Sequence, residues 1–249
     1  MALRIGFDLD GVLADMESEL LRQSKILFGE PMTRRLQERA ADPGDAPAAV
    51  TVADPPDASE TGPDAPAIVQ LNMTARQQRR LWQHVESIEN FWEGLAELEP
   101  GVIRRLAALA ADRRWEIIFL TKRPETAGVT AQVQTQRWLE SKGFTLPSVF
   151  VVQRSRGRIA AALGLDFVVD DRPENCLDVV VDSKARAILV WRDEVRQPPT
   201  AVQRLGIGVV KSVADCLEIL AQVDSATREE PGVMSRVMRL LGLNEPSRK

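Results

Sequence analysis

Arg4-Ile5-Gly6-Phe7-Asp8-Leu9-Asp10-Gly11-Val12-Leu13-Ala14-Asp15 is the stretch that decides the fold. Apolar residues run into two carboxylates, Asp8 and Asp10, and Gly11 follows before a new apolar run. The pattern reads as a buried strand over residues 3–8 that ends in a sharp turn. Two acids then sit at the strand's carboxyl end, where open α/β sheets bind their ligands. Carboxylates so close repel each other, so the site calls for a cation. A hard divalent ion such as Mg²⁺ suits oxygen ligands.

The rest of the 249-residue chain can support one large domain, or a core with an inserted module. Net charge is −4, from 32 basic and 36 acidic residues, so nothing favours a nucleic-acid polymer or an anionic membrane as partner. A small anionic substrate needs only a local positive site. Cys176 and Cys216 lie far apart without ligand-like neighbours and read as reduced thiols of a cytoplasmic protein. The first residues do not resemble a signal peptide, and no apolar run approaches a membrane span of about 20 residues. The oligomeric state stays open, a homodimer being one alternative.

Outward from the first strand, Asp15 is placed to cap a helix over 16–28. The chain then leaves the α/β pattern for residues 30–98, read as an inserted helical cap. Within it, residues 41–66 hold six prolines and six acids with no Lys or Arg. Such a segment cannot bury enough apolar surface to offset its ordering entropy, so it reads as a disordered acidic loop. Thr74 is a plausible N-cap for a helix over 74–89 with Leu81, Val85 and Ile88 on one face. From residue 99 to 223, helices are expected near 101–112, 126–142, 156–163 and 212–222. Strands are expected at 115–120, 148–152, 166–169, 187–191 and 206–210. That alternation implies a Rossmann-like α/β fold: three layers, with a parallel sheet between helices. A polar linker over 224–232 and an amphipathic docking helix over 232–242 complete the chain.

Three strand ends bear on chemistry together: Asp8-x-Asp10, Thr121, and Asp170-Asp171. Between the last two lies a basic cluster, Arg154, Arg156 and Arg158, at a helix start. In a parallel sheet all fall on one rim. They offer carboxylates for a metal, a nucleophile, a hydroxyl and a cation for phosphate, which suits phosphoryl transfer through an aspartyl intermediate.

Asp8-Leu9-Asp10-Gly11-Val12 resembles the DxDG[TV] signature of the haloacid dehalogenase-like (HAD) superfamily. Thr121 resembles its second motif and Asp170-Asp171 its fourth, and the resemblance covers residues 1–30 and 100–220. FDLDGVLAD, FLTKRPET, VVDDRPEN and FWEGLAELEPGV are similar to the 5′(3′)-deoxyribonucleotidase branch, which also carries a helical cap between the first two motifs. The resemblance implies a Mg²⁺-dependent phosphomonoester hydrolase, a 5′-nucleotidase acting on nucleoside or deoxynucleoside monophosphates. It implies that Asp8 is the nucleophile and that Asp10 protonates the leaving alcohol, then deprotonates water. Thr121 and the Lys122 amide would bind phosphate. Asp8, the Asp10 carbonyl, Asp170 and Asp171 would hold the metal.

One departure from that pattern is plain. The family's third motif is a Lys, and no Lys lies between Gly143 and Asp170. Arg156 or Arg158 must supply the cation, with Arg154 a third alternative, and Arg is not a neutral replacement for Lys. Phe91 and Trp92 either stack on a nucleobase or pack the cap. Arg123 and Lys122 either reach substrate or face solvent, and Arg172 either pairs with a carboxylate or touches ligand. His84, the sole histidine, reads as a cap residue. The rival functions are a phosphatase for another small phosphate ester and a HAD-like binding module with weakened catalysis. Phosphonate cleavage is disfavoured because residues 30–98 contain no Lys, and dehalogenation because Asp10 is a second carboxylate.

Overall fold

The computed structural model describes residues 2–41 and 73–229. Six strands form one sheet: β1 (Arg4–Asp8), β2 (Glu116–Thr121), β3 (Ser148–Val151), β4 (Phe167–Asp170), β5 (Arg186–Val190) and β6 (Gly208–Val210). Their order is β3-β2-β1-β4-β5-β6, and every neighbouring pair is parallel. The chain thus has the expected α/β Rossmann-like architecture, with β1 in the middle of the sheet.

The helices are α1 (Met16–Phe28), α2 (Glu30–Ala41), α3 (Ala75–Glu86), α4 (Val102–Arg113), α5 (Ala131–Ser141), α6 (Arg156–Leu163), α7 (Pro173–Asp182), α8 (Thr200–Arg204) and α9 (Val213–Glu229). Alternate strand residues enter two separate apolar cores, as the two-residue repeat of a strand demands. Ile5, Phe7, Phe119, Val169 and Ile188 meet Leu106 of α4, Trp138 of α5 and Leu217 of α9. Ile118, Leu120, Val168 and Leu189 meet Ala160 of α6, Val179 of α7 and Val202 of α8. Strands buried on both faces explain the near-continuous apolar runs that made them legible.

Helix α1 packs chiefly on α2 and α3. Leu20, Leu36, Leu81 and Val85 are buried in the same core as the first face of the sheet, and His84 Nε2 lies 3.0 Å from Gln23 Oε1. Helix α1 thus buries its apolar face against helices that follow residue 30. Thr74 caps α3 in a full capping box with Gln77. Helix α2 falls inside the stretch read as a helical insert, whereas α7 and α8 lie where the sequence suggested no helix.

Two expectations are corrected. The helix expected from 126 begins at Ala131, where Thr130 accepts the Val133 amide proton. Residues 224–229, expected as linker, continue α9, because Asp224 is buried and ion-paired with Arg113 at 3.2 Å. The acidic segment beyond residue 41 and the helix expected over 232–242 lie outside the described residues.

Candidate active site

Asp8 is the last residue of β1, and the chain reverses at once. Leu9 O accepts the amide protons of Leu13 and Ala14 at 2.8 Å each, and Gly11 N donates to Ala14 O at 3.1 Å. Gly11 has φ +88°, and a Cβ there would stand 2.1 Å from Asp171 Oδ2. Only glycine permits both the turn and the approach of the acid. Arg192 fastens this turn from outside. Its Nη1 donates to Gly11 O at 2.6 Å, and its Nη2 donates to Val12 O at 3.1 Å and Glu99 Oε1 at 2.6 Å. Glu99 also accepts the Val213 and Ala214 amide protons at the start of α9.

The four predicted acids and Thr121 converge on one rim, and two arginines neutralise part of the cluster. Arg156, 2% exposed, donates from Nη2 to Asp8 Oδ1, and its Nε lies 3.5 Å from Asp170 Oδ2. It gets so deep because Gly157 lets α6 meet α7 closely: a Cβ at 157 would be 2.1 Å from Asp178 O. Arg156 therefore holds the cation position left open between it and Arg158. Arg158 is corrected out of the site: its side chain is 75% exposed and lies 4.0 Å from Asp182. Arg154 is also exposed.

Arg123 is the second buried cation, and its expected role as a substrate contact is corrected. Its side chain has no exposed surface. Nε donates to both Asp10 oxygens at 3.0 Å, Nη2 to Oδ1 at 2.7 Å, and Nη1 to Thr135 Oγ1 at 3.0 Å. The guanidinium also lies 4.9 Å from the Trp92 ring and 5.5 Å from that of Trp138, within cation–π range. Thr121 Oγ1 donates to Asp10 Oδ2 at 3.2 Å and accepts the Arg123 amide proton at 3.2 Å.

Phe91 and Trp92 are likewise corrected. Both are buried, pack edge to face, and do not line the cavity beside Asp8. Trp92 donates from Nε1 to Pro124 O at 3.0 Å. With both rings in the core, neither offers a face to a base.

Asp170 is oriented by Asn175, whose Nδ2 reaches both carboxylate oxygens at 3.0 Å, and by the Arg172 amide at 2.9 Å. Sequence reasoning gave no role to Asn175 or Glu99, although both lie in the quoted stretches VVDDRPEN and FWEGLAELEPGV, and it missed Trp191 and Arg192, which no motif marks. A cavity of about 500 Å³ opens over Asp8, Asp10, Asp171, Lys122 and Arg156, with Met16, Leu98, Pro173 and Trp191 among its other walls. Asp15 borders it too and is the cap of α1, accepting the Ser18 amide proton at 3.0 Å.

Burial pushes the Asp8 carboxyl well above its usual range; Arg156 opposes the shift, and Asp170, Asp171 and Asp10 add to it. Burial raises Asp170 as well, against Arg156 and Asn175. Asp171 is pushed up to about 7, by burial first and then by Asp170. Acids raised on folding bind more protons in the native state than in the unfolded chain. Stability then falls as pH climbs from the unfolded value of about 4 toward 7. In a chelator-treated sample the melting temperature is expected to be higher near pH 5 than near pH 8; thermal melts across that range check it, and a steady rise with pH contradicts it.

The donors suit a hard cation: all are oxygens, and Asp171 Oδ1 is buried without a hydrogen-bond partner. Among the described residues, however, no three acidic, His or Cys side chains stand grouped as ready ligands. Arg156 bridges Asp8 and Asp170 instead.

No family model matches this sequence, and no curated protein is significantly similar to it. Solved structures do match. A protein from Thermotoga maritima, provisionally assigned as a β-phosphoglucomutase, superposes with a TM-score of 0.52 at 18% identity. The match covers 89% of this chain and 99% of that one. The two chains share one fold. A looser match is a HAD family hydrolase from Deinococcus radiodurans R1 with bound phosphate and sodium, with TM-score 0.49, 17% identity, and 89% and 96% of the two chains covered. Another is a hydrolase from Pseudomonas syringae, with TM-score 0.47, 18% identity, and 90% and 99% covered. Among the described residues, no helix is long and apolar enough to cross a membrane.

Proposed function

We propose that this chain is a HAD-type phosphatase that hydrolyses small phosphate monoesters through an aspartyl phosphate on Asp8. The observation that carries the reading is the buried Asp8–Arg156 pair at the carboxyl end of β1, with Asp10, Thr121 and Asp171 on the same rim. Asp8 attacks phosphorus and the bond from phosphorus to the leaving oxygen breaks, Asp10 giving that oxygen a proton. Asp10 then takes a proton from water as the water attacks the phosphoaspartate, which returns Asp8 and frees phosphate. Arg156 and Lys122, both on the cavity wall, hold phosphoryl oxygens as charge redistributes, and Thr121 helps to fix Asp10. Arg123 keeps the Asp10 carboxylate beside the reacting oxygen.

Mg²⁺ belongs to this proposal. Asp8, Asp170, Asp171 and the Asp10 carbonyl would hold it, and when bound it would add positive charge to the phosphoryl oxygens. A nucleoside monophosphate is the finer substrate reading; it rests on the resemblance of the motifs, and the cavity is large enough for more than a phosphate group.

A second reading is a phosphate-binding module without turnover. It is favoured by the pairing of both Asp8 and Asp10 with arginines. One experiment separates the two. The full chain is incubated with Mg²⁺ and a generic aryl phosphate, free phosphate is measured, and acid-quenched samples are digested for mass spectrometry. Phosphate release with a phosphoryl group on the peptide bearing Asp8 is the expected result. Saturable binding of phosphate with neither release nor label would establish the module instead.

A further inference from the structure

The turn after Asp10 is held from a distance. Arg192 stands two residues past the end of β5, and β4 lies between β5 and β1. Its side chain reaches across to the carbonyls of Gly11 and Val12, which it meets at 2.6 and 3.1 Å. Among the described residues no backbone amide proton reaches either oxygen. Glu99 secures the guanidinium in turn. It accepts from Arg192 Nη2 at 2.6 Å and from the Val213 and Ala214 amides at 2.7 and 3.0 Å. Although Arg192 borders the cavity, both of its terminal nitrogens are engaged by the turn and Glu99. A rigid fork on two successive carbonyls fixes both peptide planes, which the single nitrogen of a lysine cannot do as well.

Asp10 therefore stands between two clamps. Arg123 grips its carboxylate, and Arg192 grips the backbone that follows it. Gly11 also abuts Asp171, so a shift of the turn would change the spacing of the acids. A general acid works only within hydrogen-bond reach, about 2.6–3.2 Å, of the oxygen it protonates.

We propose that Arg192 is a positioning residue for the acid role of Asp10: through Gly11 and Val12 it sets where the Asp10 carboxyl meets the departing oxygen. The proposal rests on the phosphatase reading and adds to it a residue that acts through the backbone.

Two esters test it. Expulsion of an alcohol from phosphorus needs the proton of Asp10, whereas 4-nitrophenolate leaves without one. The readout is kcat/KM, which covers only the steps through departure of the leaving group. In Arg192→Lys it is expected to fall about 100-fold for glycerol 2-phosphate and no more than about 5-fold for 4-nitrophenyl phosphate. Glu99→Gln, which keeps an acceptor but removes the charge facing Arg192, should show the same bias in smaller measure, and it decides alone should Arg192→Lys fail to fold. A smaller folded fraction lowers both esters in equal proportion. An equal loss, or none, therefore overturns the proposal while the phosphatase reading stands. Asp10→Asn should show the bias more strongly; its absence there refutes the acid role of Asp10 and the proposal with it. If wild type turns over neither ester, the phosphatase reading itself fails. Amide hydrogen exchange over residues 9–15 reads the clamp without turnover. Arg192→Lys should speed it about 10-fold or more there and leave the sheet unchanged; unchanged exchange in the turn overturns the clamp.

Discussion

Asp8→Asn is expected to lose turnover by about 10⁴–10⁶-fold, the scale of removing a covalent nucleophile, without lowering the melting temperature near pH 8. The two readouts separate chemistry from folding. The amide has the shape of the carboxylate, and its oxygen can still accept from Arg156 Nη2. Burial is the largest influence on Asp8 and outweighs the Arg156 charge, so the ionised form is held at an energetic disadvantage. A neutral side chain removes that disadvantage. Parallel assays of phosphate release and thermal melting check both halves. Near-full Mg²⁺-dependent turnover in the variant would rule out Asp8 as nucleophile, and a drop of many degrees would mean that the Asp8 charge holds the fold.

Arg156→Ala is expected to act in the opposite sense, destabilising the protein by about 3–5 kcal/mol near neutral pH. The guanidinium is the cation between Asp8 and Asp170, and its removal leaves two buried acids facing each other beside Asp171. For a domain of this size that is on the order of 10 °C in melting temperature. The deficit should shrink toward pH 5, where the orphaned carboxyls can take up protons. Arg156→Lys keeps the charge but places it on one nitrogen, which cannot serve Asp8 and Asp170 as a fork does, so an intermediate loss is expected. Arg158→Ala, two residues away on an exposed side chain, should stay within about 0.5 kcal/mol of wild type. Chemical denaturation of the three variants measures this; equal stability of Arg156→Ala and wild type would refute the bridging role.

The contrast between Arg156 and Arg158 shows how much of the site the sequence holds. Residues two apart on a helix point about 200° apart, so only one of them can face Asp8. Periodicity alone narrows the choice to a face without saying which face is inward. That is decided by Gly157, whose missing side chain brings α6 onto α7. The inner strands were readable for a simpler reason: β1, β2, β4 and β5 are buried on both faces and so are nearly all apolar. Arg123 was misjudged because an arginine in a loop after a strand normally faces solvent. Here Asp10, Thr135, Trp92 and Trp138 meet it from three separate stretches of chain. Phe91 and Trp92 were misjudged by the same logic, since no local pattern distinguishes a ring under α5 from one over a pocket. The roles of Glu99 and Arg192 could not be read locally, because their partners are each other and backbone groups far along the chain.

The central place of β1 has a consequence for synthesis. The acids leave the ribosome long before their partners: Asp10 waits 113 positions for Arg123 and Asp8 waits 148 for Arg156. Strand β1 also lacks both neighbours until β2 and β4 have emerged. Such distant pairings close late and slowly. The Asp8–Asp10 motif is therefore among the last of the described elements to become ordered. A nascent chain arrested before residue 156 carries solvated acids without the Asp8–Arg156 pair, so under the proposed function incomplete copies of this protein are expected to be inert.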